Sequence, residues 1–193
     1  MRIRQQLAAL HEKYERLLAL HRQKPERSPA RRQSMVEVAA RFPGALREWQ
    51  ALPIETLEER RAALATWLSA PSLPSDLRQL PPWVAYSWDL HAWLRLVLSL
   101  RQQPRILPEA EGLAAAQRMC DELGEPQLRS AVTPQLLAQV NKPSRGQLAQ
   151  IAYVQVAAQH GVAVSDIKAS LFSAAPDGPD DREPADDSDE DRR

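Results

Sequence analysis

The sequence has one cysteine, Cys120, and only six glycines among its 193 residues. A lone cysteine cannot form an intrachain disulfide or a thiolate metal cluster. The four histidines lie at positions 11, 21, 91 and 160, and no two have the close spacing of a zinc motif. A glycine-rich phosphate loop, a GxSxG nucleophile elbow and the kinase motifs are also missing. The sequence therefore predicts no metal and no cofactor, and it leaves enzymatic function open but without positive support.

Charge is unevenly distributed along the chain. Arginine outnumbers lysine by 21 to 4, which is typical of a GC-rich bacterial genome. The formal net charge is zero, yet the last 18 residues carry −6 and the rest of the chain +6. A body of +6 is modest beside the basic surface of a dedicated nucleic-acid-binding protein. The N-terminal segment lacks the apolar core of a signal peptide, so we expect a cytoplasmic protein.

The fold class follows from apolar residues at helical spacing, separated by 16 prolines. An apolar content of 44% is enough for a real core. We predict an all-α protein, a single helical-bundle-like domain of about six to eight helices with a disordered acidic C-terminal tail. The predicted parts are an N-terminal amphipathic helix (1–21), a basic linker (22–33), a helical domain (34–173) and the tail (174–193).

The first helix carries apolar residues at alternating steps of three and four, which form an a/d seam. Three heptads are borderline for a free-standing coiled coil. The seam can therefore pack on the rest of the bundle, or it can bind a protein partner or a second copy of the chain. The predicted partner-binding residues are Ile3, Leu7, Leu10, Tyr14 and Leu17.

Capping signals predict several helix boundaries. Ser34 and Glu37 form a capping box, so a helix should begin at Met35. The Phe42-Pro43-Gly44 stretch should interrupt that helix, because the residue before a proline avoids helical angles. Further helices should begin after the N-cap candidates Thr133, Ser144 and Ser165.

The most apolar segment is PPWVAYSWDLHAWLRLVLSL, residues 81–100. Its length nearly permits a membrane span. It contains an aspartate and an arginine, however, and each costs about 2.5–3.5 kcal/mol at the centre of a bilayer. We therefore predict a central helix of the bundle and no membrane association.

Three residues of this helix are candidates for a ligand-binding site: Asp89, His91 and Arg95. His91 and Arg95 are four residues apart on a narrow polar stripe, where they can converge on one anion or simply face water. Asp89 projects on the apolar side, where a carboxylate must find a partner or shift its pKa upward. The expected partner is an arginine or a backbone amide of a neighbouring helix, and the alternative is a catalytic acid in a pocket.

The segment QVAAQHGVAVSDIKASLF has small, turn and core residues at the spacing of a helix-turn-helix: Ala157, Gly161 and Ile167. Its second helix offers only Lys168 beside Asp166, so base-reading side chains are missing. The preferred function is a non-enzymatic, helical interaction or adaptor protein that self-associates through its first helix. The alternatives are a nucleic-acid-associated regulator, or a small-anion-binding protein or enzyme that uses the Asp89 region.

Overall fold

The computed structural model describes residues 2–23, 28–103, 110–141 and 145–173. All regular structure within these ranges is helical, so the all-α prediction is confirmed. The α-helices are α1 (Arg2–Arg22), α2 (Pro29–Arg41), α3 (Ala45–Ala51), α4 (Ile54–Ser69), α5 (Pro82–Gln102), α6 (Ala110–Glu122), α7 (Pro134–Asn141), α8 (Arg145–His160) and α9 (Val164–Phe172). Two 3₁₀ helices lie at Leu77–Gln79 and Pro126–Ala131.

The predicted start of α2 is wrong by six residues. The helix begins at Pro29, after the extended residue Ser28, and so takes in the second half of the predicted basic linker. Proline is well suited to the first helical position, because its missing N–H would have no partner there. The Ser34 hydroxyl bonds to the carbonyl of Ala30 inside the helix instead of capping it.

Other predicted boundaries agree more closely with the structure. A short turn separates α2 from α3, and within it Gly44 has a φ of 88°. The hydroxyl of Thr133 accepts the amide N–H of Leu136, as expected of an N-cap. α9 begins at Val164, two residues before the position predicted from a cap at Ser165. The predicted cap Ser144 and the acidic tail lie outside the described residues.

Two hydrophobic cores meet along α5. The N-terminal core is formed by α1 to α4, the first 3₁₀ helix and the first residues of α5. The C-terminal core is formed by α5 from Leu90 onward, the second 3₁₀ helix and α6 to α9. α1 packs mainly on α4, and α5 packs mainly on α8. This arrangement confirms α5 as the central helix. None of the described helices combines the length and apolar character required to cross a membrane.

A buried charge cluster lies where the two cores meet. The Lys13 ammonium contacts both carboxylate oxygens of Glu48 at 2.8 and 3.0 Å, and it also bonds to the Ser87 hydroxyl. The Tyr14 hydroxyl donates to Glu48 Oε2 at 2.8 Å. The Arg60 guanidinium lies 3.9 Å from Glu48. All five side chains are buried, so this cluster joins α1, α3, α4 and α5.

Candidate ligand-binding site

Asp89 lies in the first half of α5, on the side that faces the end of α8. Its Oδ2 atom is 2.6 Å from Nε2 of His160, the last residue of α8. Oδ2 also accepts a hydrogen bond from Nε2 of Gln159 at 3.2 Å. The expectation of an arginine or backbone partner is therefore corrected, because two side chains at the end of α8 hold the carboxylate.

The residues around Asp89 fix the orientation of these two partners. Gln159 accepts a hydrogen bond from Nε1 of Trp93 at 3.2 Å, so its amide bridges the indole and the carboxylate. The rings of Tyr86 and His160 pack in an edge-to-face arrangement, with their centroids 4.9 Å apart. With a proton on Nε2, the His160 ring donates to Oδ2 of Asp89. Both hydrogen bonds end on Oδ2, and no described side chain donates to Oδ1.

An open pocket of about 320 Å³ lies beside Asp89. The first turns of α1 and α5 and the segment around the first 3₁₀ helix form its walls, together with one glutamine each from the second 3₁₀ helix and α8. The buried residues that line the pocket are mostly apolar, and the exposed residues that line it are polar. The lining residues are Arg2, Ile3, Gln6, Ser75, Asp76, Leu77, Arg78, Ala85, Trp88, Asp89, Gln127 and Gln159.

Glu125 is a second acid close to this pocket, and sequence reasoning missed it. The residue is 2% exposed, and its carboxylate accepts hydrogen bonds from Gln127 and, at 3.4 Å, from Arg2. Burial raises the pKa of Glu125, against the opposing effects of Gln127 and Arg2; the negative charge of Asp89 raises it further. In the sequence Glu125 simply follows Gly124, and that position says nothing about burial.

The structure places His91, a candidate for the anion site with Arg95, between two aromatic side chains. Its ring lies between Phe42 and Trp88, with centroids 5.8 Å from each. Burial, together with the smaller effect of the positive charge of Arg95, lowers the pKa of His91 to about 3. Near pH 7 the imidazole is therefore neutral and adds no positive charge beside Arg95. Ser87, four residues before His91 on the same face of α5, is also not solvated, since it is 3% exposed within the charge cluster.

The predicted partner-binding seam of α1 is covered by the chain itself. Leu7, Tyr14 and Leu17 have no exposed surface, and Leu10 is 2% exposed. These residues belong to the N-terminal core, while Ile3 packs at its margin and lines the pocket. Another chain can reach the seam only if α1 leaves α4. These contacts favour the first of the two interpretations given above, in which the seam packs on the rest of the bundle.

The helix-turn-helix candidate has its core positions inside the C-terminal core. Ala157 is 6% exposed and Ile167 is fully buried. The Lys168 ammonium lies 5.3 Å from the centre of the Tyr153 ring and bonds to Gln150, so it is held against α8. This arrangement provides no projecting row of base-reading side chains from α9.

Among the described residues, no three His, Cys, Asp or Glu side chains are grouped so that they could hold a metal ion. Comparison with protein-family models, with curated proteins and with solved structures gives no significant match. The pocket at Asp89 is therefore interpreted from its own geometry.

Proposed function

We propose that this protein binds a small organic molecule in the pocket beside Asp89. The observation that carries the proposal is the position of this carboxylate. It lies on the core side of the central helix, it is held through one oxygen, and it lines an open pocket. A structural ion pair alone would not need an adjoining cavity.

The size and lining of the pocket support this proposal. Ligand pockets usually have volumes of about 300–1,000 Å³ and combine apolar walls with a few polar groups that orient the ligand. This pocket is at the small end of that range. Leu77, Ala85 and Trp88 supply apolar surface, while Asp89 and Gln127 supply polar groups. A molecule of metabolite size fits this combination better than a protein segment does.

The adaptor function predicted from the sequence has less support in these contacts. It depended on the α1 seam, and four of the five seam residues are core residues of the same chain. Self-association through α1, nucleic-acid binding and a cytoplasmic location stay predictions. The proposed function is binding, and no reaction is assigned to it.

Ligand binding in the pocket can be tested with a substitution at its rim that fills the cavity. Ser75 is exposed and lines the pocket, so Ser75→Trp should fill the cavity without disturbing the core. Ser72→Trp is the matched control, because Ser72 is exposed in the same loop but does not line the pocket. Both proteins and the wild type would be screened against a library of small organic fragments by ligand-observed NMR.

The proposal expects a set of fragments that bind the wild type and Ser72→Trp but lose binding to Ser75→Trp. Equal thermal stability of the two variants would show that the loss comes from the filled pocket. A library that produces no fragment blocked by Ser75→Trp would contradict the proposed function.

A further inference from the structure

We infer that the ligand of this pocket is an organic cation, a protonated amine or a guanidinium attached to a short apolar body. This inference rests on the proposed function and specifies the class of ligand. The cationic group would lie against Asp89 and the face of Trp88, and the apolar body would lie along Leu77, Ala85 and Ile3.

The first argument is the free acceptor on Asp89. His160 and Gln159 both bond to Oδ2, which fixes the carboxylate while leaving Oδ1 without a described donor. Asp89 has a side chain that is only 17% exposed, so water stabilises its charge less than it would on an open surface. A cationic N–H donor at Oδ1 would form a charge-assisted hydrogen bond, which is about twice as strong as a neutral one.

The second argument is the charge of the surrounding groups. Arg2, the basic residue from α1 in the lining, is already bonded to Glu125 and Gln127. Arg78 is an exposed lining residue, and the exposed acid Asp76 also lines the pocket. Neither arginine of the lining therefore pairs with Asp89, and Glu125, bonded to Arg2 and Gln127, adds a further carboxyl group close to the pocket.

The third argument is the aromatic wall. Trp88 lines the pocket next to Asp89, and the face of an indole attracts cations through its quadrupole. A carboxylate beside an indole favours an ammonium or guanidinium over a neutral alcohol or an anion. An anionic ligand would instead be repelled by Asp89.

The inference is tested with three probes of equal chain length and different charge: pentylamine, pentanol and pentanoate. Each is titrated into the full-length ¹⁵N-labelled protein, and the Trp88 indole N–H signal is followed by NMR after assignment with Trp88→Phe. Pentylamine should shift this signal saturably, with an affinity at least tenfold higher than that of pentanol or pentanoate. Asp89→Asn should remove this preference, while Asp121→Asn, at a partly exposed acid outside the pocket lining, should retain it.

The outcomes separate the two proposals. If fragments bind and are blocked by Ser75→Trp but pentanol or pentanoate binds as well as pentylamine, the cation inference is wrong and the pocket proposal stands. Unchanged amine binding in a folded Asp89→Asn protein would also overturn the cation inference. If Asp89→Asn fails to fold, the comparison of the three probes on the wild type decides. Complete absence of binding at the pocket would overturn both.

Discussion

Oδ2 of Asp89 and Nε2 of His160 lie 2.6 Å apart, although 71 residues separate them in the sequence. The contact joins the first half of α5 to the last residue of α8, and both side chains are largely buried. We therefore expect it to contribute to stability, and under the proposed function it also orients the carboxylate for a ligand. The two roles can be separated, since stability is measured without ligand.

A double-mutant cycle should detect this contact. His160→Phe keeps a ring beside Tyr86 but removes Nε2, and Asp89→Ala removes the acceptor. We expect a coupling free energy of about 1.5–3 kcal/mol, as for a hydrogen bond to a charged group, in urea unfolding at pH 7. The more exposed pair Glu12 and Arg16 is the control and should give no more than about 0.5 kcal/mol. Additive single effects at Asp89 and His160 would show that the contact is not formed in solution.

The Lys13–Glu48 pair should respond very differently to single and double substitution. Lys13→Met leaves the Glu48 carboxylate buried without its ammonium, so we expect a loss of about 3–5 kcal/mol in the free energy of unfolding. Replacing both residues with methionine removes both charges, and the double variant should lose less than the sum of the single losses. Chemical denaturation of the four proteins tests this. A small effect of Lys13→Met would mean that water reaches the site.

The helices were largely predictable because their signals are local. Proline after an N-cap residue correctly predicted α7, and the same signal at Ser28-Pro29 marks the true start of α2. That start was missed because the capping box at Ser34 and Glu37 was preferred. The apolar spacing of α1 predicted which face is buried but not whether α4 or another chain covers it.

The site was predictable only in part, because its contacts are between distant residues. Asp89 stood out as an acid on an apolar helix face, which is a local pattern. Its partners His160 and Gln159 follow only from the packing of α8 on α5. Lys13 and Glu48 gave no signal, since each looks like an ordinary charged residue on an amphipathic helix. Their burial depends on a contact across 35 residues.

Gly44 should be the least replaceable of the glycines with a positive φ. Its φ is 88°, and an added Cβ would lie 2.8 Å from Cδ1 of Leu94 in the core. Gly124 has a φ of 75°, but no atom lies within 4 Å of its added Cβ. Gly124→Ala should therefore cost about 1–2 kcal/mol for the left-handed backbone alone. Gly44→Ala should cost about 1–3 kcal/mol more because the core is overpacked. Equal midpoints of thermal unfolding would show that Leu94 moves aside freely.

Arg60 should control the stability of the last helix. Its guanidinium donates to the carbonyls of Ser170 and Leu171 at 2.8 and 3.0 Å, and these carbonyls lie at the end of α9. The single ammonium group of lysine cannot reproduce this bidentate contact with two carbonyls. Arg60→Lys should therefore speed amide hydrogen exchange across α9 by about tenfold or more. Arg61→Lys is the control on the same helix and should leave exchange in α9 unchanged. Equal protection in both variants would contradict the role assigned to Arg60.

His91 should make stability fall as the pH is lowered. Its pKa is about 3 in the folded protein and 6.5 for an ordinary histidine, so between these values the unfolded chain binds the extra proton. The stability present above pH 6.5 is therefore lost as the pH falls towards 3, by at most about 1.4 kcal/mol per pH unit. His91→Phe keeps a ring between Phe42 and Trp88 without a titrating group. Relative to its own value at pH 7, the variant should lose about 2–3 kcal/mol less than the wild type at pH 4.5. Urea denaturation of both proteins at the two pH values measures this difference. Equal losses of stability in the wild type and in His91→Phe would mean that His91 is protonated in the folded protein.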